Sequence, residues 1–204
     1  MVLDLDPDNR FAAGSKNWVF VHPGDPSLLV KIIRPDIYGH LPAAFRAARK
    51  HHVHNSVVRE LREHILLLAD DPNPPWFLQK IVGFAQTNLG SGLVVKAERQ
   101  RDGRYAETLS ALAQTGRVSE AMCGQLRRFH AALVESPVIA GDIRLSNIVY
   151  AYSPDEGDHF VLIDGIGDRT YIPVQRLSGV LNRFIKRRRI ARHWKKLARY
   201  GWRG

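Results

Sequence analysis

Two short apolar runs, "IVY" at 148–150 and "FVLI" at 160–163, leave this chain little freedom. Each is too short for a helix and rich in β-branched or aromatic residues, which suits a strand. The nine residues between them, "AYSPDEGDH", hold the Ser-Pro, Asp and Gly of a tight connection. A small hairpin is predicted. Polar residues mark its rims. Asp142 and Asn147 precede the first strand at a D-x-x-x-x-N spacing, and Asp164-Gly165 closes the second. Turn chemistry alone accounts for each pair taken singly. Taken in order, they are also an oxygen-rich set of the kind a hard cation binds.

The rest of the chain supplies a frame. Residues 17–21 and 28–33 read as a hairpin across "HPGDPS". The stretch from about 43 to 69 has a helical pattern in two pieces, with Val57, Leu61, Ile65 and Leu68 as the apolar stripe of the second. "DDPNPP" ends it, because proline cannot continue a helix. Residues 76–86 and 92–97 read as a second strand pair around "TNLGSG". "QRDGRY" is a polar linker and the expected lobe boundary, followed by about 30 helical residues. Ser119 caps a helix with Met122, Leu126, Phe129 and Leu133 along one side. From about Gln175 the chain is predicted helical, with Leu177, Leu181, Phe184 and Ile185 facing the core and Ile190, Trp194 and Leu197 extending the stripe.

The predicted class is α+β, a compact fold of two lobes with a minimal helical C-lobe, which the ordered set of residues below marks as protein-kinase-like. One domain spans 1–204, with an N-lobe of about 1–100, a C-lobe of about 101–185 and a basic helical tail of about 183–204.

Phosphoryl transfer from ATP needs few parts, and each has a counterpart here in order. Lys31 interrupts the apolar strand "LLVKII", where an ammonium is costly unless paired. Glu60 is its expected partner, with Glu63 one turn on as the alternative. Asp142 is the candidate catalytic base, and Asn147 and Asp164 are the candidate ligands of Mg²⁺. Gly14 and Ser15 in "AAGSKN" stand where a phosphate-covering loop turns. Residues 93–100, Glu98 among them, are the expected hinge that offers backbone groups to the nucleotide. The departures are equally specific. There is no G-x-G-x-x-G, Ala140 stands where a histidine is usual, the third motif is "DGI", and only 40 residues follow Asp164. A conventional peptide-binding lobe does not fit in them.

The net charge of +10 belongs to one end. From 169 to 204 there are 12 Lys/Arg and no Asp or Glu, so the preceding 168 residues carry a net charge of −2. Such a tail suits an anionic surface, phospholipid foremost, or is simply a solvated charged helix. Nucleic acid is disfavoured, since no RNA-binding or helix-turn-helix signature accompanies the charge. No apolar run reaches the length of a membrane span, no secretory signal opens the chain, and Cys123 is alone. A reducing cytoplasm is the expected compartment, with the inner membrane face as a docking place for the tail. His51, His52, His54 and His64 read as a surface cluster rather than a metal site.

"NSVVRELREHILLL", "FLQKIVGFAQTNLGSGLVV", "IRLSNIVY" and "FVLIDGIGDRTYIPV" together resemble the PhoP regulatory network protein (YrbL-like) family, over about residues 14–185. The resemblance implies a small offshoot of the protein-kinase-like fold in Gram-negative bacteria, and it favours Glu60 over Glu63 beside Lys31. Some members lack the catalytic aspartate, which this chain keeps as Asp142. The expectation is an ATP- and Mg²⁺-dependent kinase, its acceptor a sugar or lipid-linked hydroxyl at the cytoplasmic membrane face. The alternative is a pseudokinase acting as a regulatory or interaction module.

Overall fold

Strand β4 (Asp25–Ile33) organises the first sheet, in a computed structural model that describes residues 2–14, 16–38, 43–167 and 174–203. It pairs with β3 (Asn17–His22) on one side and β6 (Gly90–Lys96) on the other. Side chains alternate along a strand. Val30 and Ile32 therefore enter a core with Leu3, Leu5 and Phe20, and Lys31 takes the opposite face. With β1 (Val2–Leu3), β2 (Ala12–Ala13) and β5 (Ile81–Thr87) the strand order is β1-β5-β6-β4-β3-β2. All pairings are antiparallel except β1 with β5. Asn88 secures this edge: its side chain accepts from Leu5 N–H at 2.9 Å and donates to Asp4 and to the Leu5 carbonyl. β1 and β2 are too short to show a pattern in sequence.

The chain divides into two units, Met1–Val58 with Lys80–Ala97, and Arg59–Gln79 with Glu98–Gly204. Helix α1 (Ala43–Asp70) is a single helix of 28 residues rather than two pieces. Its described end also corrects the expected stripe. Ile65 and Leu68 are exposed, whereas Glu60, Glu63 and His64 are buried. The first strand of the second pair starts later than expected. Residues 76–79 lie outside the strands of the first sheet, and Phe77 and Leu78 belong to the core of the second unit.

That second unit holds β7 (Glu107–Thr108), α2 (Leu109–Gln114) and α3 (Glu120–Glu135). The helical stretch after the linker is thus interrupted, with Gly116 at positive φ between two capped helices. Ser119 caps α3 as expected, its hydroxyl accepting from Met122 N–H at 3.1 Å, and Leu126, Phe129 and Leu133 are fully buried. The predicted hairpin is β8 (Ile148–Ser153) and β9 (Gly157–Leu162), in a three-stranded sheet with β7. Then come α4 (Val174–Leu177) and α5 (Gly179–Leu197), the latter capped by Ser178.

The first half of α5 reverses the apolar reading, while Ile190 and Leu197 face inward as expected. Val180, Leu181 and Phe184 are exposed, and Asn182, Lys186, Ile190, His193 and Leu197 are buried. Beyond the helix, Trp202 is buried against Phe160. No described helix is long and apolar enough to cross a membrane.

Candidate functional site

A mesh of hydrogen bonds gathers Asp142, Asn147 and Asp164-Gly165 at one end of the β8–β9 hairpin. Asp142 N–H donates to the Gly165 carbonyl at 2.8 Å. The Asn147 side-chain amide donates to the Asp142 carbonyl at 3.1 Å, and Ile163 N–H donates to the Asn147 carbonyl at 2.8 Å. A 3₁₀ turn, Leu145–Asn147, carries the chain from one partner to the other. Asp164 accepts from Gly165 N–H at 2.6 Å. The approach is so close at Gly165 that a Cβ would stand 2.3 Å from the Asp142 carbonyl oxygen, and φ there is +90°. Only glycine fits. The "DG" of the sequence is therefore a packing requirement as well as a turn signal.

Polar side chains brace this loop from behind. Lys186 Nζ donates to the Leu133 and Ser136 carbonyls, each at 2.7 Å. Asn182 donates to the Val138 carbonyl at 3.3 Å, and Arg189 to the carbonyl of Ala140. From α1, Glu63 accepts from Ile139 N–H at 2.9 Å and pairs with Arg176. Burial pushes the Glu63 carboxyl up, against the pull of Ile139 N–H and Arg176. Burial also lowers the Lys186 ammonium to about 8, against the opposing charges of Glu63 and Glu135. Glu63 is thus engaged with the segment that leads into the loop. Glu60, the expected partner of Lys31, is also buried.

Asp142 is half-buried, and its Oδ1 accepts from Arg144 Nε at 2.9 Å. A cleft of about 540 Å³ opens beside it, lined by the loop and by the second half of α5. On the first unit, Lys31 lies between Val19 and Leu93 in the sheet register. Gly14 closes the β2–β3 connection, its N–H donating to the Asn17 carbonyl at 2.8 Å. Ser15 lies outside the described residues. Glu98 follows β6, and its carbonyl accepts from Ala106 N–H at 2.9 Å. Of the histidines, His54 is exposed and His64 buried, while the side chains of His51 and His52 lie outside the described residues. Among the described residues no three His, Cys, Asp or Glu converge as metal ligands.

The family model of PhoP regulatory network protein YrbL matches residues 3–201. The chain belongs to this family. No curated protein sequence matches the chain. Among solved structures, this YrbL-family chain is similar to Rad53 1-466 in complex with AMP-PNP, at 15% identity and a TM-score of 0.49. The likeness covers 86% of this chain and 41% of that one, so the chain spans about two fifths of its length. The fold is α+β and kinase-like in its order of parts. A lysine strand is followed by a helix with buried carboxylates, a D-x-x-x-x-N loop, a hairpin and Asp-Gly.

Sequence reasoning missed the inward polar stripe of α5, in which Asn182, Lys186 and Arg189 brace the loop and His193 meets His130. Asn182, Lys186, Arg189 and His193 recur at spacings of four, three and four, a helical stripe as regular as any apolar one. Reading only apolar periodicity hid it, and the density of Lys and Arg made the whole segment look solvated.

Proposed function

We propose that the protein is a small ATP- and Mg²⁺-dependent phosphotransferase. Lys31, with Glu60 as its expected partner, binds the phosphates of the nucleotide, and Gly14, Ser15 and the backbone near Glu98 are the further contacts. Asn147 and Asp164 hold Mg²⁺, which neutralises charge on the phosphates. Their side-chain oxygens are the donor type this hard cation takes. Asp142 orients the acceptor hydroxyl and accepts its proton as the new oxygen–phosphorus bond forms and the terminal phosphoryl group leaves ADP.

The observation that carries this reading is the mesh joining Asp142, Asn147 and Asp164-Gly165, in which backbone bonds set the relation of a base to two oxygen ligands. A solvated turn has no need of a glycine pressed this tightly against a carbonyl.

The test is thermal stability with ATP, with and without Mg²⁺, since a ligand of the folded state raises it. A magnesium-dependent rise in the wild type, absent in Asp164→Ala, is expected. Asp142→Asn should keep that rise and lose phosphoryl transfer. No rise in the wild type at saturating ATP sinks the proposal.

A second reading, a pseudokinase serving as a regulatory module, is favoured by one feature: Arg144 pairs with Asp142. Under it, ATP binds without turnover in both the wild type and Arg144→Ala.

A further inference from the structure

The cleft beside Asp142 is charged in a way the phosphotransfer chemistry alone does not require. Four cations line it: Arg144 from the loop, and Arg189, Arg192 and Lys196 from α5. Asp142 is the one carboxylate among its described lining residues. The three α5 cations recur at spacings of three and four, so they share one side of the helix. His193 lines the cleft as well. It is 6% exposed, and its Nε2 is buried with no hydrogen-bond partner among the described residues. Burial and the neighbouring Lys196 keep this imidazole uncharged near neutrality, so it stands as a hydrogen-bonding group rather than a fifth cation. Like charges gathered around one concavity repel each other unless an anion joins them. Arginine forks and a lysine are the usual recognition set for phosphate. Arg144 also links the two functions, since it binds the Asp142 carboxylate and lines the same space.

We infer that this cleft seats the acceptor and selects one that carries a phosphomonoester beside the hydroxyl to be modified. The inference rests on the phosphotransfer reading of Asp142. The volume of about 540 Å³ suits a sugar-phosphate-sized group. Arg192 and Lys196, both exposed, are the selecting cations. Arg189 contributes from a fixed position, because it also donates to the Ala140 carbonyl. The phosphate comes either from a soluble sugar phosphate or from a lipid headgroup.

Titration calorimetry with glucose 6-phosphate against glucose, and sedimentation with phosphatidylcholine vesicles containing either phosphatidic acid or phosphatidylserine, separate these sources. The wild type should bind glucose 6-phosphate and not glucose. Binding of phosphatidic acid vesicles without glucose 6-phosphate would equally support the cleft and assign the phosphate to lipid. Arg192→Ala/Lys196→Ala, first checked for an unchanged circular dichroism spectrum, should weaken the bound probe on the order of tenfold or more, as expected for lost charge-assisted hydrogen bonds. That variant should keep the magnesium–ATP stabilisation, whereas Asp164→Ala should lose it and keep the phosphate probe. The idea fails if the wild type binds neither probe, if the double variant binds as well as the wild type, or if phosphatidylserine vesicles serve equally well. Phosphate binding without any ATP response would sink the kinase reading and leave the anion cleft standing.

Discussion

Gly165 shows how a single residue holds the candidate site together. Its carbonyl anchors Asp142, and its missing side chain makes room for the Asp142 carbonyl and the Asn147 amide. Gly165→Ala would force a side chain into a left-handed conformation and against backbone, a strain of about 1–3 kcal/mol. The expected outcome is a lower denaturation midpoint and a lost magnesium–ATP response, both read in one thermal-shift series. An unchanged response would show that Asp142 and Asn147 tolerate displacement. At this scale much was legible. The spacing of Asp142 and Asn147 and the position of Asp164-Gly165 follow from sequence, because covalent neighbours must share a loop. The part played by Glu63 was not. Its contacts, Ile139 and Arg176, lie far along the chain, and nothing local distinguishes it from Glu60.

The first half of helix α5 reverses the ordinary division between apolar inside and charged outside. Its buried stripe begins with Asn182 and Lys186, because the segment 133–140 presents carbonyls that need donors. An unpaired buried carbonyl costs more than an amide or ammonium that satisfies it. Lys186→Met should therefore cost about 1–3 kcal/mol despite its similar volume, by leaving the Ser136 carbonyl without its donor and the Leu133 carbonyl with the Ser136 hydroxyl alone. Phe184→Ala, at a 61% exposed position, should cost within about 0.5 kcal/mol. Apolar periodicity would order these two variants the other way, so urea melts of the pair decide between the descriptions. The existence of the helix was legible from its pattern. Its rotation was legible only in the second half, through Ile190 and Leu197, because the partner of the first half is a set of backbone acceptors rather than an apolar surface. The same holds for α1, whose exposed Ile65 and Leu68 misled the sequence reading while Glu60, Glu63 and His64 turned inward.

Taken whole, each unit keeps its own core, and the second also contains a buried histidine pair. His130 Nε2 and His193 Nδ1 lie 3.4 Å apart, joining α3 to α5. Burial, with His193 beside it, lowers His130 to about 3, and burial with Lys196 lowers His193 to about 4. An unfolded imidazole titrates near 6.5, so below that pH the unfolded chain takes up protons that the folded one refuses. This contribution to stability is complete above 6.5 and is lost as the pH falls towards 4 and then 3. The melting temperature should decline between pH 6.5 and 5, before most carboxylates titrate. His130→Gln should flatten the decline, and a wild-type profile level down to pH 5 would contradict the assignment. The class, the hairpin and the order of chemical parts were legible at this scale. The short edge strands were not, since two residues carry no periodicity, and the histidine pair was not, since its members lie 63 positions apart in the chain.

The burial of Trp202 against Phe160, in the core shared with Phe129 and Leu133, has a consequence for biosynthesis. The sheet of the first unit is complete once residue 96 has emerged from the ribosome. The second unit cannot close its core until Trp202 has also cleared the exit tunnel. Throughout the intervening translation the braced loop, the buried lysine and the histidine pair wait on a helix not yet made. The nascent chain thus passes through a stage with one finished half and one exposed apolar half, the state that chaperones recognise.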